Sequence, residues 1–199
     1  MKNLLEHNFI SHYGLTASVA VNVVSRTNAN FDLKDDDVMV YPSGKGIAKY
    51  SNPNCKEVNV INYETFFKGL QQSFQQNKEN CDLLVYTSDR QYFLLNELTN
   101  TNKQKGKKYK KSVSQMLQTL QIISDVPEIS QFIQLYSTRQ CCFFNKKAQA
   151  PKHIKATDAF SRLATLSENG YKMSNPDIET FDFELWEFSG NQTFFLAKL

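Results

Sequence analysis

Residues 81–99 read CDLLVYTSDRQYFLLNELT, and this stretch decides the fold. It holds two runs of aliphatic and aromatic residues, 83–86 and 92–95, separated by the polar segment 87–91. Two short runs of this composition on either side of a polar turn are typical of a β-hairpin. The sequence therefore predicts two paired strands here, around which the rest of the chain is organised.

Two carboxylates mark the open end of this predicted hairpin. Asp82 precedes the first strand, and Glu97 is followed two residues later by Thr99. Because side chains alternate along a strand, Glu97 and Thr99 point to the same side, and Asp82 can lie near them on the neighbouring strand. A pair of carboxylates on one face predicts a metal site.

A lysine-rich segment, residues 103–111, follows the hairpin, and we interpret it as a loop. The net charge of the chain is only +3, so this basicity is local. Such a segment suits contacts to the phosphates of a nucleic acid, although a solvated loop is the alternative. The candidate nucleic-acid-binding residues are Lys103, Lys105, Lys107, Lys108, Lys110 and Lys111.

The motif resembles that of the PD-(D/E)XK nucleases, which have the restriction-endonuclease-like fold. It consists of Asp82 on one strand, Glu97-x-Thr99 at the end of the next, and a following helix with Gln115 and Thr119 in a Gln-x-x-x-Thr spacing. The resemblance covers roughly residues 60–145. It implies an α/β fold with a mixed central sheet flanked by helices.

This resemblance also implies an activity, the hydrolysis of phosphodiester bonds in DNA with Mg²⁺ or Mn²⁺, in restriction or phage defence. Asp82 and Glu97 would be metal ligands, Glu64 an outer metal ligand and Gln115 a supporting or phosphate-contacting residue of the catalytic site. Thr99 stands where the family has its catalytic lysine. Either another lysine takes its place, Lys103 or one within 107–111, or the site binds without cutting.

Glu64 has a second interpretation. Tyr63, Phe66, Phe67, Leu70 and Phe74 recur at helical spacing and predict a helix over residues 63–76, with Glu64 in its first turn. A carboxylate there is also favoured by the helix dipole alone. The sequence leaves both roles open.

The remaining elements complete a single α/β domain over residues 1–199. Residues 15–24 are compatible with a helix or a strand, and we favour a helix. The other predicted elements are a helix in 1–14, an extra N-terminal hairpin of 38–41 and 47–50 that extends the central sheet, a strand 58–61, a helix 113–123, strands 132–136 and 139–144, a loop 145–155, a helix 159–167, and a C-terminal hairpin within 178–199.

Other features exclude some classes of protein. The four cysteines and three histidines lack zinc-ligand spacing, so we expect reduced core thiols. Residues 35–37, three aspartates, could bind a cation, but we expect them to form a solvated loop. No apolar run is long enough to span a bilayer, and no signal peptide is evident, so a cytoplasmic protein without membrane contact is expected. The aromatic C-terminal region predicts core or homodimer packing.

Two alternatives to a nuclease remain at this stage. The first keeps the fold without the chemistry, as an inactive nuclease-like module that binds nucleic acid or a protein partner. The second is a structural or interaction protein in which Asp82 and Glu97 merely flank a hairpin.

Overall fold

A computed structural model describes residues 1–16, 18–36, 38–100, 105–146 and 170–197. Within these ranges the chain has an α/β fold with a mixed seven-stranded sheet. Helices cover one face of this main sheet, and a four-stranded small sheet covers the other. The predicted α/β class with a mixed sheet flanked by helices is confirmed at this level.

The described helices differ greatly in length. They are α1 (Leu4–Phe9, of the π type, extended by the turn Ile10–His12), α2 (Tyr63–Lys68), α3 (Gln72–Gln75), α4 (Lys105–Ser124), α5 (Pro127–Gln134) and α6 (Pro176–Glu179). None of them is both long and apolar enough to cross a membrane.

The described strands are mostly short. They are β1 (Val23–Arg26), β2 (Asn30–Leu33), β3 (Val40–Tyr41), β4 (Ala48–Ser51), β5 (Val58–Asn62), β6 (Leu83–Thr87), β7 (Tyr92–Thr99), β8 (Thr138–Asn145), β9 (Tyr171–Met173), β10 (Glu184–Ser189) and β11 (Thr193–Phe195).

The main sheet has the strand order β1-β5-β6-β7-β8-β10-β9. Strands β6 and β7 form the predicted hairpin, in which Leu83 is opposite Asn96 and Val85 is opposite Leu94. The chain then crosses over through α4 and α5, so that β8 lies parallel to β7. Strand β7 is therefore central, and seven of its eight residues are buried because both faces are covered.

Alternation along β7 divides its side chains between two cores. Phe93 and Leu95 pack under the helices, against a cluster that includes Phe66 and Leu120. Leu94 points to the other face and packs against the small sheet. By the same alternation Glu97 lies on the helix side of the sheet.

The small sheet has the order β11-β4-β2-β3 and is tied to the main sheet by Tyr50 of β4. The Tyr50 ring stacks on Phe31 at a centroid distance of 5.2 Å. Its hydroxyl donates a hydrogen bond of 2.9 Å to the Oδ1 atom of Asn96 in β7, and both residues are buried. This polar contact fixes the position of the small sheet on the main sheet.

The prediction of an extra N-terminal hairpin is wrong. Val40–Tyr41 and Ala48–Ser51 do not pair with each other, because both pair with Asn30–Leu33. They belong to the small sheet and do not extend the main one. The Asp32 carboxylate accepts hydrogen bonds from the Gly44 and Gly46 amides and thereby holds the connection between β3 and β4.

The lysine-rich segment is also not a loop where the structure describes it. Helix α4 begins at Lys105, so lysines 105–111 lie on its first two turns, and Lys103 lies outside the described residues. Lysine has a good helix propensity, and the helix is anchored by its buried residues Met116 and Leu120. The start of α4 could not be predicted from the sequence because the lysine-rich segment has no apolar residues at helical spacing.

Three further predictions around the helices are wrong. In the segment 15–24 the described residues, 15–16 and 18–24, contain no helix, and the last two belong to strand Val23–Arg26. The helix predicted over 63–76 is broken at Gly69, where a Cβ atom would lie 2.7 Å from the Cγ1 atom of Val19. Residues 132–134 end helix Pro127–Gln134, which starts with proline at a favourable first position, so 132–136 is not a strand.

The prediction of a C-terminal hairpin is wrong as well, because the two strands of this region belong to different sheets. Glu184–Ser189 lies parallel to β8 in the main sheet, and Thr193–Phe195 lies parallel to β4 in the small sheet. Phe188 and Phe194 of this region do pack in the core, buried between the sheets, whereas Phe195 is exposed. The loop 147–155 and the helix predicted over 159–167 lie outside the described residues.

Three of the four cysteines are core thiols, as expected, and the fourth is not. All four are free, and Cys81, Cys141 and Cys142 are buried, while Cys55 is exposed.

The role of Tyr50 yields a stability prediction. Tyr50→Phe should lower the free energy of unfolding by about 1–2 kcal/mol, because the buried Asn96 oxygen loses its donor. Tyr171→Phe, at an exposed position, serves as the control and should change it by less than about 0.5 kcal/mol. Urea denaturation measures both, and equal stabilities for the two variants would contradict the contact between the sheets.

Candidate metal centre

Asp82 is the central residue of a group of carboxylates at the open end of the β6–β7 hairpin. It stands immediately before β6, and its amide donates to the Asn96 carbonyl at 3.1 Å. Its Oδ2 atom accepts a hydrogen bond of 2.7 Å from the Leu98 amide. The carboxylate is thereby held against β7, beside Glu97.

Helix α2 starts from the same point. The Asp82 carbonyl accepts hydrogen bonds from the amides of Tyr63 and Glu64 at 3.0 and 3.1 Å, and the Asn62 side chain caps the helix by accepting from the Thr65 amide. Glu64 therefore projects from the first turn of α2 towards Asp82. The structure brings these two predicted metal ligands together.

Asp35 is a third carboxylate at this site, and it comes from the turn between β2 and β3 of the small sheet. One carboxylate oxygen each from Asp35, Glu64 and Asp82 all lie within 4.8 Å of one another. The turn is shaped by Asp36, which accepts hydrogen bonds from the Val38 and Met39 amides and the Tyr41 hydroxyl. Asp36 thus has a structural role, and Asp35 is left to face the site.

Sequence analysis missed Asp35 by interpreting the three aspartates at 35–37 as a solvated loop. Their local sequence does contain the signal, a run of acids before a strand. The missing information was the position of the small sheet, which carries this turn to the end of the β6–β7 hairpin. Asp37 lies outside the described residues.

Glu97 is a fourth carboxylate near this group, and it lies on β7. It is only 6% exposed, and within the described ranges its Oε2 atom has no hydrogen-bond partner. Burial raises its pKa well above the ordinary value, and the negative charges of Asp82, Glu64 and Asp35 raise it further. A buried polar atom without a partner is costly, so this oxygen is suited to a ligand.

The pKa of Asp82 is raised for similar reasons. Burial is the main cause, the Leu98 amide opposes it, and the charges of Asp35 and Glu64 add to it. Asp82 and Glu97 therefore share a poorly solvated space in which both cannot easily be ionised together. A cation among them would remove this conflict.

Two lysines stand at the edge of the four-carboxylate cluster formed by Asp35, Glu64, Asp82 and Glu97. Lys68 makes an ion pair of 2.7 Å with Glu64, and its charge lowers the pKa of Asp82. Lys111, on the second turn of α4, lowers the pKa of Glu97 by its charge. Positive charge thus reaches the cluster from both α2 and α4.

The remaining predicted site residues have different surroundings. Thr99 ends β7 two residues after Glu97 and pairs in the sheet with Asn145. The Gln115 side chain donates a hydrogen bond of 2.9 Å to the Asn80 carbonyl. Together with Thr119, which accepts from the Cys81 amide, Gln115 fixes the chain leading into Asp82. In the structure Gln115 therefore contributes to the position of Asp82 through the backbone of Asn80, two residues before it.

The predicted lysines lie along the start of α4. Lys108, Lys110 and Lys111 are exposed. The side chains of Lys105 and Lys107, and all of Lys103, lie outside what the structure describes.

The donor set fits a hard divalent cation. Asp35, Glu64 and Asp82 supply oxygen atoms alone, which are the ligands that Mg²⁺ and Mn²⁺ prefer, whereas Glu97 adjoins these three and is not within 4.8 Å of all of them. The unpartnered Glu97 Oε2 atom gives independent support for a ligand at this position. The residues present are therefore compatible with Mg²⁺, and the identity of the ion remains a prediction.

Comparison with known proteins gives no match: no family model, no curated protein and no solved structure is significantly similar to this chain. The resemblance to the PD-(D/E)XK nucleases accordingly stays a prediction based on the residues themselves.

The raised pKa values predict how a cation affects stability at different pH. Because Asp82 and Glu97 hold protons more tightly when folded than when unfolded, the cation-free protein should lose stability as the pH rises above about 4 towards their raised pKa values. A cation binds the ionised carboxylates, so the increase in Tm caused by Mg²⁺ or Mn²⁺ should be larger at pH 8 than at pH 5.5. Calorimetry at the two pH values measures this difference.

Glu97→Gln provides the matched variant. Because glutamine is neutral without taking up a proton on folding, the cation-free variant should be more stable than the wild type at pH 8 by about 1–3 kcal/mol, and its Tm should no longer respond to the cation. Glu128→Gln, on the exposed start of α5, should behave as the wild type. A Glu97→Gln protein that keeps the full cation response would exclude Glu97 from the site.

Proposed function

We propose that this protein is a divalent-cation-dependent nuclease that hydrolyses phosphodiester bonds in DNA. The observation that carries the proposal is the convergence of Asp35, Glu64 and Asp82, with Glu97 close enough for their charges to raise its pKa and its buried Oε2 atom lacking a partner among the described residues. A divalent cation bound there would acidify a bound water and neutralise charge that develops on the phosphate.

The arrangement of elements supports this proposal. From α2 to β8 the chain runs two helices, two strands, two helices and a strand, with β6 and β7 antiparallel and β7 and β8 parallel; with each pair of helices counted as one segment, the order is helix, strand, strand, helix, strand. This is the order that the resemblance to the restriction-endonuclease-like core implies. The carboxylates also lie at the end of the hairpin where that resemblance places them.

Lys111 is the best candidate for the role of the missing motif lysine. Thr99 has a hydroxyl and no charge, whereas Lys111 is exposed on α4 and close enough to Glu97 to lower its pKa. An ammonium group at this position can orient the attacking water or stabilise the phosphate. In this assignment Asp82 and Glu97 hold the cation, Glu64 and Asp35 complete its carboxylate ligands, and Lys111 acts on the water or phosphate.

The start of α4 supplies a candidate phosphate-binding surface. Its first turn has no acidic residue, although acids are favoured there by the dipole and lysines are not. Anionic phosphates along this surface would offset the unfavourable effect of the dipole on the lysines.

The proposal is tested with supercoiled plasmid in the presence of Mg²⁺ or Mn²⁺. Asp82→Asn keeps an oxygen that can accept from the Leu98 amide but loses the charge, so it should fold normally and cleave at least about a hundredfold more slowly. Asp182→Asn, at an exposed position outside the cluster, should cleave as the wild type does. Equal cleavage rates for Asp82→Asn and the wild type would refute the site.

A second pair of variants separates Lys111 from its neighbours. Lys111→Met should reduce the cleavage rate about a hundredfold at saturating DNA, because a group acting on the reacting atoms is lost. Lys110→Met, one residue away on an exposed position, should change the rate little but lower the slope of log binding constant against log salt by about 1. The same rate loss in both variants would contradict the special role of Lys111.

The alternative function, binding without cleavage, is favoured by one observation, namely Thr99 at the motif position of the catalytic lysine. It predicts salt-sensitive retardation of DNA in gels and no nicked product with either cation. The plasmid assay therefore decides between the two, and the same assay with single-stranded DNA and RNA defines the substrate.

A further inference from the structure

Lys68 lies in the last turn of α2, four residues after Glu64, and its Nζ atom is 2.7 Å from the Glu64 Oε1 atom. A Glu-to-Lys pair at this spacing is common on helix surfaces, where it is weak and stabilises only its own helix. Lys68 is 63% exposed, as such residues usually are. Its partner, however, is not an ordinary surface carboxylate.

Glu64 belongs to the four-carboxylate cluster, so the field of Lys68 reaches beyond its own helix. The positive charge of Lys68 lowers the pKa of Asp82 and of Asp35. The ammonium group thus compensates three of the four acids at once. Lys68 thus supplies, from a side chain of the protein, positive charge of the kind that a bound cation would supply to these carboxylates.

A divalent cation and this ammonium group would compete for the carboxylate of Glu64. The cation would lie about 2.0–2.1 Å from its oxygen ligands. Because the Lys68 Nζ atom is 2.7 Å from one Glu64 oxygen, the two positive groups would be separated by only about 5 Å and would repel strongly. The lysine is exposed and flexible, so it is the group that can move.

We propose that Lys68 is an internal counter-ion of the four-carboxylate cluster, which a divalent cation displaces from Glu64 when it binds. Lys68 thereby sets the cation concentration at which the site fills. This inference rests on the proposed function, because it assumes that the cluster is a cation site. It adds a residue that controls occupancy and is not itself a ligand.

The test is a titration of the protein with MnCl₂ by calorimetry, without nucleic acid. Lys68→Met removes the charge and keeps the apolar stem, and it should bind Mn²⁺ about three- to tenfold more tightly than the wild type. Lys68→Arg keeps the charge and should bind within about twofold of the wild type. Lys2→Met is the matched control, since it removes another pair at this spacing, Lys2–Glu6, and should not change the Kd for Mn²⁺.

Two further readouts should move together with the Kd. The cation-free Lys68→Met protein should have a lower Tm than the wild type at pH 8, because its carboxylates lose their counter-ion, and saturating Mn²⁺ should remove this difference. The Mn²⁺ concentration for half-maximal plasmid cleavage should fall by the same factor as the Kd.

The possible outcomes separate this inference from the proposed function. An unchanged or weaker affinity in Lys68→Met, with Mn²⁺ still bound by the wild type, overturns the displacement of Lys68 and leaves the nuclease proposal standing. No Mn²⁺ binding by either protein overturns the cation site itself, and the counter-ion role with it. Binding by Lys68→Met alone supports the competition directly.

Discussion

The burial of Glu97 beside Asp82 is the constraint on which the rest of this site depends. The two residues lie on the helix side of neighbouring strands, at the end of the hairpin that forms the centre of the main sheet. Their position follows from the register of β6 and β7 and cannot be relaxed without breaking that register. The protein accommodates two poorly solvated acids here at a cost to its own stability.

Much of the surrounding structure can be understood as support for these acids. The Leu98 amide holds the Asp82 carboxylate, and the Asp82 backbone in turn starts helix α2, which delivers Glu64. Gln115 and Thr119 of α4 fix the residues before Asp82. The small sheet, anchored through Tyr50, delivers Asp35. Three separate elements therefore bring Asp35, Glu64 and Asp82 together beside Glu97 of β7, an arrangement typical of a functional site and uncommon in a purely structural core.

The hairpin and its two acids could be predicted from sequence because both depend on a period of two. Alternation alone places Asp82 and Glu97 on one face once residues 83–86 and 92–95 are paired. The contribution of Asp35 could not be predicted in this way, since it depends on a second sheet whose strand Asn30–Leu33 is short and partly polar.

Other differences have similar physical causes. Strands Glu184–Ser189 and Thr193–Phe195 look like a hairpin because only three residues separate them, yet the chain turns at Gly190, with a φ of 61°, and passes into the other sheet. The lysines at 105–111 form a helix because the apolar residues that anchor it come later in the chain. In each case a contact distant in sequence overrides a local pattern.

The most direct measurement of the central claim is anomalous diffraction from crystals of the protein containing Mn²⁺. The account predicts a peak within bonding distance of carboxylate oxygens of Asp82 and Glu97, with Glu64 and Asp35 next to it and the Lys68 ammonium group turned away. A structure in which Glu97 Oε2 is hydrogen-bonded to protein or water and no manganese peak lies among these four carboxylates would contradict it.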